Sequence, residues 1–271
     1  MKFISPTTLE EAYRALSDDE TRCLAGGQSL VAMMNLGLVA PSRLVSLRKI
    51  NSLLGIDQQR DGSVRIGAMT THADVADMSL PGTPASLLRA AARVVGYPAI
   101  RMQGTIGGSV AHADPAADLP VALAAIGAEV EIGSLRGTRR VPAREFFRGP
   151  FETALAQDEL VLAIVLPPPA DDAGSAYEKL SLVAGDFAIV SVAAVVGKTA
   201  RVAVGGCGPK PLFAADIDVA DGALVAAGSL LADASDPPSD QRASAAYRRK
   251  VIPELVRRTV RAAQEIRRAA Q

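Results

Sequence analysis

Two short runs of glycine and hydroxyl residues offer the chemistry most open to a ligand in this sequence. The first is Ala25-Gly26-Gly27-Gln28-Ser29, after the apolar Cys23-Leu24. The second is Gly104-Thr105-Ile106-Gly107-Gly108-Ser109, with three glycines and two hydroxyl residues in six positions. Glycine lacks a Cβ and lets a ligand approach the main chain. Successive backbone N–H groups can then form an anion-binding nest, to which the Thr105 and Ser109 hydroxyls add donors. A diphosphate is the natural guest, and two loops far apart in sequence suit an extended dinucleotide held from two sides. Two tight turns account for the same glycines. The acidic, proline-broken continuation Ala113-Asp114-Pro115-Ala116-Ala117-Asp118 adds a carboxylate that can accept hydrogen bonds from sugar hydroxyls. No GxxxxGK[ST] run is present and no GxGxxG follows the first strand, which argues against a P-loop or a Rossmann turn.

No nucleophile–base constellation accompanies these loops. The only histidines are His72 and His112, and neither belongs to an HExxH or a His/Cys metal cluster. The reactive group is therefore expected to be a bound cofactor, with the protein supplying position and electrostatics. Lys+Arg and Asp+Glu are both 29 in 271 residues, a balance that argues against a general nucleic-acid binder. The longest apolar stretches, such as 188–196, are shorter than the ~20 residues of a membrane helix. Met1-Lys2-Phe3-Ile4-Ser5-Pro6 has no apolar core of a signal peptide, so the expected compartment is the cytoplasm. Cys23 and Cys207 are too few for a four-cysteine iron–sulfur site.

The elements that must position the loops fall into three expected units. Residues 1–55 read as a small α/β unit: a helix opened by Ser5-Pro6-Thr7-Thr8, a strand at 21–25 ending in the first loop, a helix from Ser29 to Leu36, and a strand from Pro41 to Leu47. Met33 and Met34 read as core filler. Residues 56–170 read as an α+β unit with strands at 63–68, 129–133 and 160–166, the last closed by Pro167-Pro168-Pro169. Thr70-Thr71-His72-Ala73-Asp74 turns into a helix there, and His72 is read either as facing a cofactor or as part of a cap. An apolar helix over 119–128 lies behind the second loop. Residues 171–271 read as a third unit of three strands in meander order, at 177–182, 189–196 and 200–205, followed by a turn at 208–211 and two helices. The segment 242–271 carries nine basic and two acidic residues. Its stripe Ile252, Leu255, Val256, Thr259, Ala263, Ile266 packs one face. The other face reads as solvated, or as turned toward an acidic partner.

These motifs, taken in order, resemble the FAD-binding subunit or domain of the molybdenum hydroxylases, a family that includes xanthine dehydrogenase and the medium subunit of aerobic carbon monoxide dehydrogenase. Ala25-Gly26-Gly27-Gln28-Ser29-Leu30 is similar to the family's first flavin motif. Thr105-Ile106-Gly107-Gly108-Ser109 with Ala113-Asp114-Pro115-Ala116-Ala117-Asp118-Leu119-Pro120 is similar to the second. Gly67-Ala68-Met69-Thr70-Thr71-His72-Ala73-Asp74, Tyr177-Glu178-Lys179-Leu180 and Asp186-Phe187-Ala188-Ile189-Val190 also match in place.

The resemblance implies an α+β fold: a two-part FAD-binding domain of the vanillyl-alcohol oxidase/PCMH type, then a small C-terminal domain with a three-stranded antiparallel sheet and helices. It implies that Ala25, Gly26, Gly27, Gln28, Ser29, Thr105, Ile106, Gly107, Gly108, Ser109, Asp118, Leu160 and Lys179 meet the cofactor, with Lys179 near the flavin ring. It implies an oxidoreductase subunit that passes electrons through FAD. Molybdopterin and 2Fe-2S clusters would reside only in partners, a large subunit and an iron–sulfur subunit, in a heterotrimer or its dimer. Neither glycine loop contains a histidine that could tether flavin, so noncovalent FAD is expected. The sequence departs from the family pattern at Ser109, often Asn, at Phe187, where Tyr can stand, and at Leu182 and Val183, where arginines are frequent. Two other readings stay open on the residues alone: a stand-alone flavin-dependent oxidoreductase acting on a small molecule, and a nucleotide-binding module without a redox cycle.

Overall fold

The computed structural model describes residues 1–16, 20–170 and 172–271. Residue 171, the expected start of the third unit, lies outside the described residues.

The first unit is a parallel three-stranded sheet. Strand β1 (Lys2–Ile4), helix α1 (Leu9–Ala15), β2 (Thr21–Leu24), α2 (Leu30–Asn35) and β3 (Arg43–Ser46) follow in sequence, and the strands lie in the order β1-β3-β2. Each connection is a crossover, which parallel pairing requires. Helix α1 starts where Thr8 accepts a hydrogen bond from the Glu11 N–H. Helix α2 buries none of its residues, contrary to the expectation that Met33 and Met34 fill a core. The helix lies beside a cleft, which Leu30 and Met33 help to line.

The second unit is antiparallel. It comprises β4 (Ile56–Gln58), β5 (Val64–Gly67), α3 (His72–Asp77), α4 (Thr83–Arg93), α5 (Pro98–Arg101), α6 (Ile106–His112), α7 (Asp118–Ile126), β6 (Glu129–Ser134), β7 (Gly137–Pro142), α8 (Ala143–Phe146), β8 (Phe147–Gly149), β9 (Glu152–Thr153) and β10 (Leu160–Leu166). The sheet order is β4-β5-β10-β6-β7. Strand β10, Leu-Val-Leu-Ala-Ile-Val-Leu, is buried at every position, as a central strand covered on both faces should be. Helix α7 is likewise buried all round because it packs between this unit and the third.

The third unit holds β11 (Gly174–Leu180), β12 (Val190–Val196), β13 (Ala200–Gly205), β14 (Leu212–Ile217), α9 (Asp221–Asp233) and α10 (Ala245–Ala269). Its antiparallel meander has four strands, not the expected three. The fourth, β14, is an edge strand with an irregular register against β13, and its Asp216 takes φ 55°. An edge strand needs no continuous apolar run, so its pattern is faint in the sequence. The basic C-terminal helix packs on its own unit. Its Arg258, Arg261 and Arg267 pair with Glu178, Asp221 and Asp172 of that unit or the segment leading into it. Arg248 is 2% exposed; its guanidinium donates to the carbonyls of Ile189 (2.6 Å) and Gly206 (2.9 Å) and to the Asp240 carboxylate. These four arginines of the basic segment are thus paired within the chain.

Candidate functional site

The first glycine loop, the second glycine segment and strand β10 border one cleft of about 560 Å³, within the range of cofactor sites. The chain folds to bring them together through the segment 67–72. The Ile106 N–H donates to the Thr70 carbonyl (3.0 Å), the Gly107 N–H to the Ala68 carbonyl (2.9 Å), and the His72 N–H to the Gly104 carbonyl (2.8 Å). A bridge between Thr71 and Thr105 completes the seam. Gly26 closes the other side: a Cβ there would lie 2.1 Å from the Gln103 carbonyl oxygen, so only glycine lets the two runs touch.

The two glycine runs differ in what they leave for a ligand. In the first, the backbone N–H groups of Gly26, Gly27, Gln28 and Ser29 find no acceptor among the described residues, and the Ser29 side chain makes no capping bond. Gly27 takes φ 76°, which favours glycine and turns successive N–H groups toward one side. The second run is not a loop but the start of helix α6, with Thr105 as its cap: the Thr105 hydroxyl accepts from the Gly108 N–H (3.1 Å). The N–H groups of Ile106, Gly107, Gly108 and Ser109 are all committed within the chain. The expectation of an N–H nest therefore fits the first run, while the second offers hydroxyls and a close backbone surface.

Asp118 begins helix α7 at the wall of the cleft and is 6% exposed. Its two oxygens accept from the Tyr177 hydroxyl (2.7 Å) and the Lys179 ammonium (2.9 Å), both on β11. Burial pushes the Asp118 carboxyl above the usual carboxylate range; Lys179 and Tyr177 pull it back down. Burial and the neighbouring carboxylate raise the Tyr177 phenol well above its ordinary value, so it stays a donor. Lys179 also donates to the Val94 carbonyl (2.7 Å). The third unit thus supplies two of the groups that fix a cleft carboxylate of the second.

Of the expected site residues, Ala25, Gly26, Gly27, Gln28, Ser29, Thr105, Gly107, Gly108, Ser109, Asp118 and Leu160 line the cleft. Ile106 does not: it is fully buried in the core behind the segment. Lys179 does not line it either, being spent on Asp118 and Val94. Sequence reasoning missed Tyr177 as a partner of Asp118, because 59 residues separate them. The third unit also brings Asp186 and Phe187, both in the motif matched at 186–190, to the cleft lining; what sequence reasoning missed there is Arg242, which pairs with Asp186 (3.2 Å) and stands over the Phe187 ring.

The residues present suit FAD: an open run of N–H groups for a diphosphate, a glycine-lined wall that admits it, and a carboxylate and hydroxyls for sugar groups. Comparison with known proteins agrees. Residues 1–169 match the family model "FAD binding domain in molybdopterin dehydrogenase" and residues 175–263 match "CO dehydrogenase flavoprotein C-terminal domain". The glyceraldehyde dehydrogenase medium chain of Sulfolobus acidocaldarius is 34% identical over 278 residues, covering 97% of each chain. The carbon monoxide dehydrogenase medium chain of Afipia carboxidovorans is 34% identical, covering 94% of this chain and 93% of that one. In three dimensions, the chain superposes on a chain of the reconstituted CO dehydrogenase from Oligotropha carboxidovorans with a TM-score of 0.93 at 32% identity, covering 98% of each. The quinoline 2-oxidoreductase of Pseudomonas putida 86 gives a TM-score of 0.90 at 29% identity, covering 100% of this chain and 98% of that one. The chain belongs to the family of FAD-binding medium subunits of molybdenum hydroxylases. It is an oxidoreductase flavoprotein subunit with an FAD-binding domain and a C-terminal domain of the CO dehydrogenase flavoprotein type. Among the described residues no helix is long and apolar enough to cross a membrane.

Proposed function

We propose that the chain binds FAD noncovalently in this cleft and serves as the electron-transfer subunit of a molybdenum hydroxylase. The observation that carries the reading is the cleft itself, lined both by the first run, whose four N–H groups find no acceptor among the described residues, and by the hydroxyl-bearing second segment. FAD, when bound, exchanges electrons singly or in pairs, and so links iron–sulfur clusters of a partner subunit to a two-electron acceptor. Residues 26–29 would hold the diphosphate. Thr105, Ser109 and Asp118 would bind hydroxyls, and Leu160 would give apolar contact. Lys179 and Tyr177 would hold Asp118 in place rather than touch the flavin. Noncovalent attachment is supported by the absence of histidine from both glycine runs.

The partners proposed are a small subunit with 2Fe-2S clusters and a large molybdopterin subunit, in a heterotrimer or its dimer, in the cytoplasm. Similar proteins named for carbon monoxide, glyceraldehyde and quinoline share this architecture, which supports placing substrate choice in the large subunit. The test is the visible spectrum of the purified chain after FAD is added and the excess removed. Retained flavin bands that acid treatment releases as free FAD would support the reading. A chain that retains none, alone or with its copurified partners, would refute it.

A further inference from the structure

His72 lines the cleft, and its buried Nδ1 has no hydrogen-bond partner among the described residues. A buried polar atom left unpaired is destabilising and calls for an explanation. His72 is 5% exposed. Its Nε2 lies 3.0 Å from the Thr105 carbonyl oxygen. That oxygen can only accept, so Nε2 carries the proton and donates. A neutral ring protonated at Nε2 presents a lone pair at Nδ1. Burial holds the ring neutral, with its pKa pushed down to about 4, so Nδ1 remains an acceptor at working pH. A Cβ at residue 104 would lie 3.0 Å from both Nδ1 and Cε1, so glycine at 104 keeps a side chain off this ring edge, and both residues line the cleft. Helix capping does not explain the ring, because Thr71 and Asp74 cap α3 between themselves.

We propose that Nδ1 of His72 accepts a hydrogen bond from a hydroxyl of the bound dinucleotide. The proposal rests on the FAD reading above. A diphosphate has no donor to offer, whereas the ribityl chain and the adenosine ribose both do. His72 then joins the two halves of the site: Nε2 fixes the Thr105 backbone, and Nδ1 holds the cofactor beside it.

The test uses the full chain with FAD titrated into wild type, His72→Gln and His72→Asn, alongside thermal unfolding of each without FAD. A Gln amide can donate to the Thr105 carbonyl as Nε2 does but places no acceptor at Nδ1; an Asn carbonyl can stand at Nδ1 but cannot reach Thr105. His72→Gln is expected to unfold near the wild-type temperature and to bind FAD about tenfold more weakly, the loss of one hydrogen bond. His72→Asn is expected to unfold earlier and to keep more of the affinity. The opposite order of affinities would overturn the proposal. So would a 15N resonance of Nδ1 in the wild-type chain that stays put on FAD loading instead of moving upfield. Titration with FAD lacking the ribityl 2′-hydroxyl, and with FAD lacking the ribose 2′-hydroxyl, separates two candidate donors: the His72→Gln penalty vanishes for the analogue missing the partner. Wild type that takes up no FAD refutes the FAD reading; wild type and His72→Gln that bind it equally refute this inference alone.

Discussion

The two glycine runs have nearly the same composition and do different work. In the first, Gly26 to Ser29, the backbone donors are left over, and the helix that follows buries nothing. In the second, Thr105 to Ser109, every donor from 106 to 109 is consumed, and the glycines exist to let α6 lie against its neighbours. A Cβ at Gly107 would fall 2.4 Å from the Ala68 Cβ and 2.7 Å from the Ala68 carbonyl oxygen. One run is open for a ligand; the other is a packed wall that a ligand can approach. Glycine content alone cannot separate these roles, since both rest on the missing Cβ.

The largest effect expected comes from behind the packed wall. Lys179→Met leaves the Asp118 carboxylate and the Val94 carbonyl without their ammonium, and removing one partner of a buried pair costs about 3–5 kcal/mol. The sign with pH follows from burial, which raises the folded-state pKa of Asp118 above its ordinary 3.8. With the compensating cation gone, the protonated form is the stable folded form. Stability of the variant is therefore highest below about pH 4 and is lost as pH rises through the raised pKa. Urea unfolding from pH 4 to 8 checks it; a variant as stable as wild type at pH 7 would mean that β11 does not brace the site.

His72 sits at the seam of the two runs and gives the next effect. Its folded pKa of about 4 lies below its ordinary 6.5, chiefly through burial, with Arg101 adding to the fall and the Thr105 hydrogen bond opposing it. The unfolded chain therefore binds the extra proton first as pH drops. The contribution is fully present above pH 6.5 and is lost between there and pH 4, about 3 kcal/mol in all. His72→Gln should flatten that part of the stability profile.

The contrast between the runs is sharpened by a matched pair of alanine substitutions. Gly107→Ala should cost about 2–3 kcal/mol, because the added Cβ meets backbone that cannot yield. Gly27→Ala meets only the Val31 and Leu24 side chains and costs about 1–2 kcal/mol for its left-handed backbone, yet it should weaken FAD binding more than Gly107→Ala does among the chains that fold. Equal effects on FAD would erase the distinction drawn here.

How much of this was legible depended on range. Strand β10 could be read from its unbroken apolar run and proline stop, and the two glycine runs from composition. The helical state of Ile106 to His112 could not, because glycine opposes a helix and only the tertiary seam to Ala68 and Thr70 overrides it. The Tyr177–Asp118–Lys179 cluster was illegible for another reason: each residue has an ordinary local role, and only the tertiary approach of β11 to the first residue of α7 brings them together. The resemblance drew Lys179 toward the site, but its contacts with Asp118 and the Val94 carbonyl had no local signal. Strand β14 was missed because an edge strand can alternate weakly and still pair.

The smallest effects test the two hydroxyls that look equivalent in sequence. Thr105 caps α6, so Thr105→Ala should cost about 1 kcal/mol of stability. Ser29 precedes α2 with no capping bond of its own, so Ser29→Ala should leave unfolding nearly unchanged. Against FAD the expectation for Ser29 is a loss of a few-fold, because its residue lines the cleft and its hydroxyl makes no capping bond among the described residues. Thr105 already accepts from the Gly108 N–H, yet its proton stays available to a ligand, so Thr105→Ala should lose both stability and some affinity. The two variants thus separate on stability first and affinity second. A Ser29→Ala chain that unfolds earlier while binding FAD normally would make the first run a structural cap after all, and would leave the four free N–H groups as the only feature that sets it apart.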